Sequence, residues 1–251
     1  MAWAADPILS WLLILLAAFF AGALNAVAGG GSFLTLPALL LIGVPAVTAN
    51  ATGTLALLPG YVASCFGYRR ELRGVADTQP LVPMIVLALL GGAIGAALLL
   101  LTSDALFRQL LPWLLLAATL LFVFAPRLLG EQGAVKNHWL MPGVFFVAIY
   151  GGYFNGGLGI LLMALFALTS SMAIQPANGV KNLLSALLTL IAVALYVGGG
   201  VIEWRLGLPL MLAATLGGYV GAAWGRLLPA AALRGLIILT GGAMTLLFFI
   251  Y

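Results

Sequence analysis

N-A-V-A-G-G-G-S at Asn25 to Ser32 and N-G-G-L-G-I at Asn155 to Ile160 interrupt a chain that is otherwise almost continuously apolar. Of its 251 residues, 64% are hydrophobic and 6% charged, and the mean hydropathy is +1.21. Such a chain lacks the polar surface to cover a soluble globule, so the bilayer must be its solvent. Backbone that leaves the helix at membrane depth survives only where protein buries it or where it lines a polar cavity. The two breaks therefore point to a pathway or binding site, and the chain reads as a transporter.

A spanning helix takes roughly 20 apolar residues. Apolar segments fall at 8–28, a short 33–43, 47–66, 80–101 and 105–125, and again at 139–155, a short 158–171, 174–197, 206–225 and 232–250. The second set echoes the first. Asn155 follows Asn25 by 130 residues, Asn178 follows Asn50 by 128, and G-G-Y-V-G at 217–221 follows G-G-A-I-G at 91–95 by 126. The expected fold is all-α, a polytopic transmembrane bundle of two sequence-related repeats with discontinuous or re-entrant helices at the glycine breaks. The repeats cover 1–126 and 139–251 of a single integral-membrane domain, joined by a polar linker loop at 127–138.

Positive charge orients the repeats. If each broken helix and its short partner form a re-entrant pair, the halves are inverted. Arg69, Arg70, Arg73, Arg127, Lys136, Arg226 and Arg234 then share one side, against Arg108 and Arg205. A parallel arrangement fits the positive-inside rule less well, so the inverted one is preferred, with the Arg-rich loop at 69–73 cytoplasmic. Trp3, Trp139 and Trp204 sit at segment ends, as an aromatic belt requires. No Lys or Arg precedes Arg69, which argues against a signal peptide.

The chemistry follows from what the segments contain. All six acidic residues lie at segment ends or in loops, which removes the usual carboxylate sites for cations or proton relays. Cys65 is the single cysteine and His138 the single histidine, so neither a metal nor a cofactor is expected, and no nucleophile constellation that would make an enzyme. The basic residues are scattered, which excludes a nucleic-acid partner. Lys181 is the one ionisable residue well inside an apolar segment, at a cost of roughly 2.5–3.5 kcal/mol that a bound anion would offset. The competing reading is a snorkelling side chain that reaches a headgroup. A half-helix starting after Gly29, Gly30 and Gly31, helped by Ser32, would present unpaired N–H groups to the same anion, and Gly156, Gly157 and Gly159 would do the same from the second half. Asn25, Asn50, Thr52, Asn155, Gln175, Asn178 and Asn182 complete a neutral polar cluster that suits a small oxyanion better than a cation. The glycines at 91, 92, 95, 217, 218 and 221 are read as close-packing devices.

N-A-V-A-G-G-G-S-F-L-T-L-P-A-L-L-L-I-G-V-P (Asn25 to Pro45) with A-N-A-T (Ala49 to Thr52) resembles the first-half signature of the TauE/SafE sulfite exporter family, also called the 4-toluene sulfonate uptake permease family. G-G-Y-F-N-G-G-L-G-I (Gly151 to Ile160) with A-N-G-V-K-N (Ala177 to Asn182) is similar to the second, although the family form is richer in glycine after the G-I. The resemblance covers essentially the whole chain. It implies movement of sulfite, sulfonates or related small organic anions across a bacterial inner membrane, with Gly29, Gly30, Gly31, Ser32, Asn50 and Lys181 at motif positions. The expected function is secondary transport of such an anion, with export preferred. An anion channel and a membrane-embedded assembly partner are the alternatives. The partners are the anion and the lipid bilayer, and a homodimer stays open.

Overall fold

The computed structural model describes residues 7–27, 29–76, 78–130 and 137–224, and beyond them 235, 238, 239, 242, 243, 245, 246, 248 and 249. Trp3, Glu131, Lys136, Arg226 and Arg234 lie outside the described residues. Those described form an all-helical bundle without strands. The helices are α1 (Pro7–Val27), α2 (Ser32–Leu41), α3 (Ala46–Gly67), α4 (Arg69–Ala76), α5 (Leu81–Leu101), α6 (Asp104–Gly130), α7 (Leu140–Tyr153), α8 (Leu158–Thr169), α9 (Ile174–Gly198) and α10 (Trp204–Trp224). The described positions after 234 are helical too.

α1, α5 and α9 are long and apolar enough to cross a membrane. At 1.5 Å per residue, the 21 residues of α5 reach about 31 Å, the thickness of a hydrocarbon core. By the same measure the 10 residues of α2 and the 12 of α8 reach about half of one.

Two expectations change at the helix ends. The Arg-rich stretch read as a loop is helix α4, whose leucine and valine lie on one face while its arginines face outward. Tyr68 and Leu72 lie 3.4 Å from where a Cβ would stand at Gly179, so α4 is held against the start of α9. The linker is also shorter than expected, because α6 continues to Gly130 and a 3-10 turn covers Asn137–Trp139.

The helices pair across the halves: α1 with α10, α5 with α7, and α3 with α9. Glycine makes these crossings close. A Cβ at Gly22 would land on the Ala214 carbonyl and one at Gly217 on the Phe19 carbonyl. On the other side of the bundle, a Cβ at Gly95 would meet the Ile149 carbonyl and one at Gly152 the Gly92 carbonyl. Backbones this near exchange dispersion contacts that larger residues would prevent.

Polar contacts fix one end. Asp104 Oδ1 accepts from the Val47 N–H at 2.9 Å, and Thr52 Oγ1 accepts from the Glu203 N–H at 3.1 Å. The starts of α3, α6 and α10 therefore share one end. α4 and the start of α9 share the other, where Arg70, Glu71, Thr78, Gln79, Ser171 and Pro176 line a cleft of about 440 Å³. Since α2 leads to the start of α3 and α8 leads to the start of α9, the two half-helices run toward opposite ends. Trp139 and Trp204 are exposed at helix termini, in keeping with a belt position.

Candidate functional site

The two breaks meet. Gly29 has φ +80° and Gly157 φ +74°, the left-handed region that a side chain resists, and each sits just before a half-helix. A Cβ at Gly29 would lie 3.0 Å from Gly159 Cα. Gly159 belongs to the first turn of α8, not to the break itself, and its own Cβ would stand 3.1 Å from Gly29 Cα and 3.4 Å from Lys181 Cδ. The starts of α2 and α8 thus converge beside the lysine. Carbonyls of the breaks already accept from Phe33, Leu34 and Thr35 at the start of α2 and from Leu158, Ile160 and Leu161 at the start of α8, so what both starts offer an anion is chiefly the positive end of the helix dipole.

Lys181 is 4% exposed and is the one charged residue among the buried described ones. It has no hydrogen bond or ion pair among the described residues. A snorkelling lysine lays its length along the surface to reach a headgroup, whereas only 4% of this one is exposed. Along α9, one turn further on, Ser185 is fully buried and its hydroxyl has no partner. One turn beyond that, Thr189 Oγ1 accepts from Asn155 Nδ2 at 3.4 Å. The Tyr61 hydroxyl donates to Asn155 Oδ1 at 3.2 Å. Tyr61 on α3 therefore holds the asparagine of the second break. Asn25 Oδ1 and Ser32 Oγ remain unpartnered although buried. A buried orphan costs about 1–3 kcal/mol, so several around one unpaired lysine describe a place prepared for a polar ligand.

The remaining expected residues divide. Gly30 and Gly31 are buried in the first break, and a Cβ at Gly31 would stand 3.1 Å from Asn25 Cβ. Asn182 is buried next to Lys181 on α9, and Asn178 is half-buried a turn earlier. Asn50 Nδ2 donates to the Tyr153 carbonyl at 3.0 Å and the Tyr150 hydroxyl to the Gly156 carbonyl at 2.8 Å, so both serve to satisfy the second break. The Tyr196 hydroxyl does the same for the Gly152 carbonyl. Thr52 is turned toward α10, and Gln175 is exposed at the start of α9. Neither joins the lysine.

Tyr61, Ser185 and Thr189 escape a reading of the sequence, although Ser185 and Thr189 follow Lys181 at intervals of four and eight, one helical face. Tyr61→Phe keeps the ring and removes the hydroxyl that donates to Asn155. The expected result is a loss of about 1–3 kcal/mol in stability, because a buried amide oxygen loses its partner, read as a lower midpoint of thermal unfolding in detergent. An unchanged midpoint would mean that the link contributes nothing.

Among the described residues no cluster of three histidine, cysteine or acidic side chains could hold a metal. What the geometry offers is a buried, singly cationic, donor-rich site between two helix breaks. The comparisons with known proteins agree with transport. The chain is 30% identical over 207 residues to a probable membrane transporter protein of Haemophilus influenzae, covering 81% of this chain and 80% of that one. It is 27% identical over 240 residues to the probable membrane transporter protein ORF9 of a Sinorhizobium species, covering 93% and 90%. It is 27% identical over 222 residues to the probable membrane transporter protein YfcA of Escherichia coli K12, covering 86% and 81%. The family model described as sulfite exporter TauE/SafE matches residues 14–248, and the chain belongs to that family of membrane transporters.

Proposed function

We propose that the chain is a secondary transporter, working as an exporter, for small anions such as sulfite, sulfonates or related sulfur-containing organic anions, across the bacterial inner membrane. The observation that carries this reading is Lys181, buried without a partner beside the contact between the two breaks. A bound anion would neutralise it, the starts of α2 and α8 would add the positive ends of their dipoles, and Ser32 and Ser185 would supply hydrogen bonds. The halves are read as inverted repeats. The opposite courses of α2 and α8 support this, as do the reciprocal pairings of α1 with α10 and of α7 with α5. Alternating access would then be a rocking of one half against the other around the lysine.

Purified protein should gain apparent thermal stability with sulfite or small sulfonates, by roughly 2.7 kcal/mol at a hundred times the dissociation constant. Saturable counterflow of the same anion in proteoliposomes should accompany it. No stabilisation by any of these anions would contradict the reading, and non-saturating flux would favour a channel. In a variant lacking Cys65, cysteines at Arg70 and Gly130 should label from the cytoplasmic side and one at Gly200 from the opposite side. Labelling of all three from one face would sink the inverted arrangement.

A further inference from the structure

We propose that the site selects singly charged anions against doubly charged ones of the same shape. This rests on the reading of Lys181 as the residue that holds the anion. The argument is a count of charge where none can be borrowed from solvent. Among the described residues Lys181 is the one buried charge, and the groups linked around it, Asn25, Ser32, Tyr61, Asn155, Ser185 and Thr189, are neutral. The repeat relationship explains why there is a single lysine. At 128 residues before Lys181, Ser185 and Thr189, helix α3 carries Gly53, Leu57 and Tyr61. No cation stands at the matching place, and a Cβ at Gly53 would already lie 3.0 Å from Thr35 Oγ1. The site takes its charge from one half only.

A monoanion therefore leaves the site neutral, and a dianion leaves one uncompensated negative charge. On the scale for placing one charge in a membrane interior, that amounts to roughly a 100-fold penalty. The two helix starts carry dipoles without net charge, and each returns about two- to fivefold. A preference for the monoanion on the order of tenfold, between about 4- and 25-fold, remains.

Methanesulfonate and sulfate form a suitable pair, both tetrahedral and similar in size but carrying one and two charges. Propane-1-sulfonate and ethane-1,2-disulfonate form a second. Each is titrated into purified protein at constant pH and ionic strength, with binding read by calorimetry and by thermal unfolding, for the native chain and for Lys181→Met. The expected result is binding of the monoanion on the order of tenfold tighter in both pairs, and its loss in a folded Lys181→Met protein. Sulfate or the disulfonate binding as tightly as its partner, and still requiring Lys181, would overturn the charge selection while leaving the anion site in place. Failure of both monoanions to bind would overturn the selection as well. If, in addition, the native chain neither bound nor transported sulfite, the proposed function would fall with it, whereas sulfite transport unchanged in Lys181→Met would remove the lysine from the site and leave the function in place.

Discussion

Lys181→Met removes anion-dependent stabilisation and transport while the protein remains folded. Truncating one partner of a buried charge pair costs about 2–5 kcal/mol, so apparent affinity should fall by on the order of 100-fold or more. The unliganded protein should be no less stable than the native chain. The ammonium has no partner to lose, methionine keeps most of the length and apolar volume, and the cost of a buried charge disappears. Lys181→Arg should restore binding only in part, since a planar fork cannot replace a compact charge against Gly159. The check is a pair of measurements on one preparation, counterflow affinity for sulfite and the unfolding midpoint with and without it. Unchanged affinity in the Met variant would leave the site to the amides and helix starts alone.

Gly159→Val abolishes transport with folded protein still recovered. Its Cβ would press on Gly29 Cα at 3.1 Å, and the two added methyl groups would enter the space beside Lys181 Cδ. Gly29 cannot yield by adopting ordinary backbone angles, because its φ of +80° sets the turn into α2. The variant thus drives the two breaks apart at the point where the anion is proposed to sit. Gly92→Val is the contrast. There a Cβ would meet Leu188 at 2.9–3.0 Å in the crossing of α5 and α9, without touching Gly29, Gly159 or Lys181, so folded yield should fall instead. Equal loss of folded protein in both variants, by size-exclusion chromatography, would reduce Gly159 to a packing residue.

Much of this architecture is legible before the structure, for a physical reason. Membrane helices declare themselves by length and apolar content, and their interruptions by asparagine and glycine stand out against that background. The half-helices expected at 33–43 and 158–171 are found at Ser32–Leu41 and Leu158–Thr169. Helix α4 was hidden because eight residues with three arginines score as a polar loop, and only its packing on Gly179 stabilises it as helix. The site was partly legible. A lysine in an apolar segment is conspicuous, whereas Tyr61, Ser185 and Thr189 are ordinary residues whose roles depend on what faces them. Thr52 shows the reverse error. It lies two positions from Asn50, so the helical turn points it to α10 and not to the breaks. In the proposed repeat, asparagine to asparagine gives an offset of 130, whereas the two left-handed glycines, Gly29 and Gly157, are 128 apart, four residues after Asn25 and two after Asn155.

The central claim is that an anion sits on Lys181 between the two breaks. Bromomethanesulfonate, a small monovalent sulfonate with a heavy atom, allows that position to be read directly from anomalous diffraction of crystals soaked with it. The account predicts a bromine peak beside Lys181, where Gly29 approaches Gly159, and no such peak in crystals of Lys181→Met. A peak in the cleft lined by Arg70 and Ser171, with none near Lys181, would contradict it.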